Sequence, residues 1–135
     1  MLKLSKRTEY ALIAARYMAQ KEKGTFVTAK EIAEIHKISF ELVAKVLQSL
    51  VKHHLVESFQ GAKGGYSLTQ NPLEISLIDL IKAVEPNYQI TNCLKSDATK
   101  KDCSNIDCCK IRNPLAEIQK KIEKVFNDTK LSNII

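Results

Sequence analysis

All four cysteines of this 135-residue chain, Cys93, Cys103, Cys108 and Cys109, fall in one polar segment between two apolar, helix-like stretches. Thiolates are soft ligands and the nucleophiles of redox chemistry. The gathering therefore suits a metal or iron-sulfur centre, or a sensor of oxidants, better than structural disulfides. Four thiols also allow a tetrahedral zinc site, although the adjacent Cys108-Cys109 pair departs from C-x-x-C spacing. No nucleophile-base-acid constellation accompanies them, and His36, His53 and His54 read as surface residues at helix ends. The expected role is that of a sensor, not an enzyme.

Stepping along the chain from its start shows what such a sensor would control. Apolar residues recur at helical spacing from Ser5 to about Gln20 (Tyr10, Ala11, Leu12, Ile13, Ala15, Tyr17). Thr28 and Glu31 form a Thr-x-x-Glu capping box opening a short helix that carries Ile32, Ala33 and Ile35 towards a core and stops near His36. Ser39 caps a longer helix with Leu42, Val43, Val46, Leu47, Leu50 and Val51 inward, and Glu41, Lys45, Gln48, Ser49 and Lys52 outward. Two helices joined by so short a turn predict a helix-turn-helix. Residues 55–59 and 66–69 alternate with period two around the apex Gln60-Gly61-Ala62-Lys63-Gly64-Gly65, which predicts a β-hairpin.

The expected fold is mainly α with a small β-hairpin wing: a winged helix-turn-helix over 1–75 and a second part, 76–135. That second part holds a helix from near Ser76 to before Pro86, the cysteine loop at 93–109, and a final helix from about Asn113-Pro114. The final helix carries Leu115, Ile118, Ile122, Val125 and Phe126 as one apolar seam. The seam needs a partner, either its own domain or a second copy; since a helix-turn-helix reading palindromic DNA acts as a dimer, the dimerisation surface of a homodimer is the preferred expectation.

The formal charge is +6, with 11 Lys or Arg against 7 Asp or Glu in residues 1–75 and 10 against 8 in residues 76–135. This balance suits a polyanion such as double-stranded DNA, and equally an ordinary basic solvated surface. No run of about 18 apolar residues is present, and the stretch from Met1 to Arg7 lacks the features of a signal peptide. A cytoplasmic protein with reduced thiols and no membrane partner is expected.

The opening Leu4 to Leu12, the block Ala29-Lys30-Glu31-Ile32-Ala33 leading to Ile38-Ser39, and the wing Gly61 to Leu68 together resemble the Rrf-two family of bacterial winged-helix transcription regulators. The resemblance runs on through Leu77 to Glu85 and to Thr129-Lys130-Leu131-Ser132. It implies a homodimer, usually a repressor, whose third helix enters the major groove while the wing reaches the minor groove. Carried over by position, Ser39, Phe40, Glu41 and Lys45 lie at the exposed start of the recognition helix, and Gln60, Gly61, Lys63 and Gly64 form the wing tip. Helix N–H groups and a Ser hydroxyl suit phosphate, lysines neutralise it, and glycines permit close backbone approach. Glu41 and Lys45 are equally placed to form an i, i+4 pair on a solvated face.

Cluster-binding members of the family supply three cysteines from this loop, which implies Cys93, Cys103 and either Cys108 or Cys109 as ligands of an iron-sulfur cluster, 2Fe-2S or 4Fe-4S. Cys109 is preferred because Cys109-Lys110-Ile111-Arg112 resembles the segment after the third ligand in one branch, which leaves Cys108 as a spare, an alternative ligand or a resolving partner in oxidation. The usual interval is about five residues; here nine lie between Cys93 and Cys103, and five between Cys103 and Cys109. In one branch a histidine completes the set, but Arg112 stands at that position. In another an acidic residue of the first helix does so, and Glu9 matches it, though it is also placed to pair with Lys6 or Arg16. Wing and helix differ too: Gln60 stands where one branch has Arg, and Ala44 where it has Glu, so an operator sequence does not transfer. The function implied is operator binding controlled by a cluster that senses nitric oxide, redox or iron status. The alternative is a cluster-free regulator working through thiol oxidation, zinc or a partner protein.

Overall fold

The computed structural model describes residues 3–135; Met1 and Leu2, the first residues of the stretch read for a signal peptide, lie outside the described residues. Four short polar side chains start four helices by accepting a backbone N–H. Ser5 caps α1 (Lys6–Ala19), Thr28 caps α2 (Ala29–His36), Ser39 caps α3 (Phe40–Lys52) and Ser76 caps α4 (Leu77–Val84), at 3.0–3.3 Å. Each such cap contributes about 1 kcal/mol. The capping box at Thr28 closes only on one side, because the Glu31 carboxylate accepts the Tyr17 hydroxyl and so ties α2 to α1.

Helix α2 ends where Lys37 turns left-handed (φ 54°) and Ile38 N–H reaches back to the Ala33 carbonyl at 3.0 Å. A three-residue turn thus sets α3 across α2. The buried faces are Ala11, Ala14, Ala15 and Met18 of α1, Ile32 of α2, and Val43, Val46, Leu47 and Leu50 of α3. Small residues line α1, which allows α3 to approach closely, while Leu12 and Tyr17 pack at the margin. Ile35, expected inside, is exposed: it lies on the side of α2 away from Ala29, Ile32 and Ala33. His36 is half-buried rather than superficial, with Nδ1 2.9 Å from the Ile32 carbonyl and its ring edge-on to Tyr17.

Strands β1 (Val56–Phe59) and β2 (Gly65–Leu68) pair antiparallel from Val56↔Leu68 to Phe59↔Gly65. Val27 adds a bridge to Tyr66 through two reciprocal hydrogen bonds of 2.9 and 2.6 Å, anchoring the hairpin to the segment before α2. Helix α4 packs on α1 and α3, and one core runs from Ala11 through Leu80 and Val84 to Leu131. The chain end is laced to the start of α4: Leu77 N–H donates to the Thr129 carbonyl and Leu131 N–H to the Ile75 carbonyl, at 2.9 and 2.8 Å.

The last helix, α5 (Arg112–Asp128), lies against α4, with Phe126 packed on the core and Gln119 buried. Its apolar seam is split. Leu115 and Ile122 are half-buried, whereas Ile118 is 45% and Val125 64% exposed.

Candidate nucleic-acid interface and thiol segment

The outward face of α3 begins at its N-terminus. The Ser39 hydroxyl oxygen accepts Leu42 N–H at 3.3 Å, and the residue is exposed, so its hydroxyl hydrogen is free to be donated outward. Phe40, Glu41 and Lys45 are exposed. Among the described residues Glu41 and Lys45 make no ion pair with each other or with anything else. Gln48 and Lys52 continue the same exposed row at helical spacing, and the exposed Lys37 stands in the turn. These three extend the candidate surface beyond the start of α3, and for Gln48 and Lys52 the outward periodicity of the helix is the signal in the sequence.

At the hairpin, Gln60, Gly61 and Lys63 are exposed and Gly64 is half-buried. Gly64 N–H donates to the Gly61 carbonyl at 3.0 Å, closing the tip. A Cβ on Gly64 would stand 2.3 Å from the Phe59 carbonyl oxygen, so the turn itself demands glycine there. At Gly61 (φ +130°) an added Cβ would meet only the edge of the Phe59 ring, at 4.0 Å. Lys63 has no acidic partner within ion-pair distance among the described residues, so its charge is available to a phosphate.

The segment from Pro86 to Ile111 is a chain of turns around a one-turn 3-10 helix, Asn92–Leu94, pinned by the buried Ile106. Ile106 is the sole large apolar residue between Lys95 and Lys110, a signal legible in the sequence. All four thiols are free: Cys93 buried, Cys103 and Cys109 half-buried, Cys108 exposed. Cys93 Sγ lies 3.1 Å from the Thr91 hydroxyl, and Arg112 Nη2 donates to the Cys93 carbonyl at 3.2 Å. Ile90 N–H donates to the buried Gln119 Oε1 at 2.8 Å. The cysteine segment is therefore fastened to α5 by two side chains of that helix.

An ion pair folds the long interval between Cys93 and Cys103 back on itself. Lys95 Nζ is 2.8 Å from Asp102 Oδ1, and Asp102 Oδ2 accepts Thr99 N–H at 2.9 Å. The Lys95 hydrogen bond, aided by Thr99 N–H, holds the Asp102 carboxyl below the usual carboxylate range, and Asp102 raises the Lys95 ammonium in return. A depressed carboxylate contributes above its unfolded pKa and loses that contribution as pH falls through the folded value. The clip is thus intact at neutral pH and opens in acid. In the reduced, metal-free chain, Asp102→Asn is expected to speed alkylation of Cys93 and Cys103 near pH 7 and to leave exposed Cys108 unchanged, as residue-resolved mass spectrometry would read.

By donor chemistry the segment suits a soft metal or an iron-sulfur cluster. By geometry it holds no ready-made set: among the described residues no three His, Cys, Asp or Glu side chains are gathered to hold a metal ion. The Glu9 carboxylate pairs with Lys6 at 3.1 Å on the first turn of α1, and Arg16 donates to the Ile134 carbonyl instead. Cys93, Cys103, Cys109 and Glu9 are not brought together within this one chain.

A helix-turn-helix whose recognition helix runs into a glycine-tipped hairpin, with unpaired lysines on both, defines a winged-helix DNA-binding transcription regulator. The comparisons with known proteins agree. The chain belongs to the Rrf2 family, described as an iron-dependent transcriptional regulator, whose model matches residues 4–135. An HTH-type transcriptional regulator of Aquifex aeolicus is 32% identical over 131 residues, covering 97% of this chain and 90% of that protein. The HTH-type transcriptional regulator NsrR of Shouchella clausii is 28% identical over 116 residues, 86% of this chain and 76% of its own length. In structure the chain is similar to CymR, the global cysteine regulator of B. subtilis, with a TM-score of 0.76 and 25% identity over 99% of this chain and 96% of that one. These relatives are transcription regulators, not enzymes. Among the described residues no helix is long and apolar enough to cross a membrane.

Proposed function

We infer that this chain is a cytoplasmic homodimeric repressor whose affinity for a palindromic DNA operator is set by the state of its cysteine segment. The observation that carries this reading is the fastening of that segment to α5. Arg112 holds the Cys93 carbonyl, Gln119 holds Ile90, and α5 carries exposed Ile118 and Val125, the seam assigned here to a second subunit. A change at the thiols then moves the helix that spaces the two recognition helices. A coupling of about 1–3 kcal/mol would change operator affinity roughly 5- to 150-fold.

Cys93, Cys103 and Cys109 are the thiolates assigned to an iron-sulfur cluster, 2Fe-2S or 4Fe-4S, with Glu9 of a second subunit as an oxygen donor. When bound, such a cluster supplies iron that responds to nitric oxide, oxidants or iron supply. The chain's part is to draw the interval between Cys93 and Cys103 together, which the Lys95–Asp102 clip already does in part. Ser39, Phe40, Glu41 and Lys45 take the major groove, and Gln60, Gly61, Lys63 and Gly64 the minor groove and its phosphates.

The second reading, a cluster-free thiol switch, is favoured by one observation: the thiols are not assembled as a ligand set while Cys108, next to Cys109, is exposed to oxidants. The structural similarity to CymR supports it as well. Purification without oxygen, followed by visible absorption with iron and sulfide analysis, separates the two. Broad charge-transfer absorption with matching iron and sulfide supports the cluster. Protein that stays colourless after reconstitution removes it, and operator affinity is then compared between reduced and peroxide-treated protein. Cys93→Ala is expected to abolish the 5- to 150-fold response; a variant that still responds in full refutes control through this segment.

A further inference from the structure

We propose that Phe40 reads a thymine 5-methyl group in the major groove, making it a specificity-determining residue of the operator contact; this rests on the DNA-binding reading above. Phe40 is the first residue of α3, directly after the Ser39 cap, and is 53% exposed. Nothing in the fold requires an aromatic ring there. The core face of α3 is Val43, Val46, Leu47 and Leu50, and closure of the turn falls to Ile38, which packs on the core. Phe40 instead lines a shallow, open notch between α2 and α3 together with Lys30, Ala33, Glu34 and Ile38.

The position fits that role. The N-terminal residues of a recognition helix are the ones that meet base edges, and apolar contact with the thymine methyl is the readout open to a residue with no hydrogen-bonding group. Ala44, one turn along at i+4, is half-buried and continues a small apolar ledge beside the polar row of Glu41, Lys45 and Gln48. One strip of the helix is thus suited to methyl groups and the adjacent strip to polar edges and phosphates. A surface phenylalanine gains by burying its face only if the occupant is apolar at that point, and in the major groove the thymine methyl is the exposed apolar group.

The test uses the full-length protein and a duplex selected by it from a randomised pool. Each thymine of the selected duplex is replaced in turn by deoxyuridine, which removes the methyl and keeps the hydrogen-bonding edge. At one thymine per half-site, wild-type protein is expected to lose about fourfold in affinity per methyl removed, the worth of one buried methyl. Phe40→Ala, which removes the contact in both half-sites at once, is expected to bind the thymine duplex about sixteenfold more weakly and to show no further loss with deoxyuridine; Phe40→Leu should keep part of the discrimination. Thermal unfolding checks that the exposed-site variants fold.

A wild-type protein indifferent to every deoxyuridine, a penalty that persists undiminished in Phe40→Ala, or a Phe40→Ala that binds as tightly as wild type would each overturn the proposal and leave the regulator reading intact. In the last case the notch faces something other than DNA. Failure of the wild-type protein to select any sequence overturns both.

Discussion

Gly65→Ala is expected to destabilise the protein by about 2–4 kcal/mol, while Gly61→Ala, four residues away, costs about 1 kcal/mol. A Cβ on Gly65 would stand 2.4 Å from the Val27 carbonyl oxygen and 2.7 Å from its carbon, with φ at +152°. The atoms in the way are backbone, and Val27 is fully buried and locked to Tyr66 by two hydrogen bonds. Neither partner can yield without parting the bridge that anchors the wing. Gly61 also has positive φ, at +130°, but its nearest neighbour is the edge of the Phe59 ring at 4.0 Å. Only the backbone conformation is penalised there. Urea titrations of both variants by circular dichroism check the contrast; equal losses would mean that the clash with Val27 relaxes freely.

The same contrast sorts the wing glycines by role. Gly64 and Gly65 are required inside the molecule, by the Phe59 and Val27 carbonyls, before any duplex is considered. Gly61 meets no such internal obstacle, so its glycine is the one that the proposed close approach to DNA would explain. From the sequence all of the apex glycines looked alike, because the contact with Val27 joins segments almost forty residues apart and no local pattern announces it.

Local signals were legible for a physical reason. Caps, turn residues and helical periodicity are decided within a few residues, so Ser5, Thr28, Ser39 and Ser76 announce α1 to α4 within a residue of where they start. The winged-helix order and the exposure of Ser39, Phe40, Glu41, Lys45 and Lys63 follow from that. What depended on tertiary choices was not legible. Ile35 has the right residue type for a core yet lies outside it, since a two-turn helix buries only one side. Gln119 sits in the middle of an apolar seam and is buried, because its amide is needed by Ile90 N–H across the interface between the cysteine segment and α5. The Lys95–Asp102 clip joins two residues that composition marks only as solvated charge. For the thiols, sequence spacing identifies donors but not their assembly, which in this family's cluster-binding reading also needs a second subunit.

That second subunit leads to the other large effect. Ile118→Glu together with Val125→Glu is expected to convert the protein to a monomer and to weaken binding to a palindromic operator by at least about 100-fold, while half-site binding stays within a small factor. Ile111, Leu115, Ile118, Ile122 and Val125 follow the four-three spacing of a coiled-coil seam. Leu115 and Ile122 are partly covered by the chain itself. Ile111, Ile118 and Val125, at 62%, 45% and 64% exposure, form a row at seven-residue intervals that the described residues leave largely uncovered. A row of this kind on a helix otherwise rich in lysine and glutamate has the character of a contact surface for another apolar face. Two glutamates placed there would bring four buried charges into a two-fold contact, a cost that burial of the remaining aliphatic residues does not offset. Phe126 and Gln119, which hold α5 to its own domain, are untouched, so the monomer keeps its fold and its recognition helix. Sedimentation velocity reads the mass, and titration of full and half operators reads the affinity. A double variant that remains dimeric would place the subunit contact elsewhere and would cut the proposed route from the cysteine segment, through α5, to the spacing of the recognition helices.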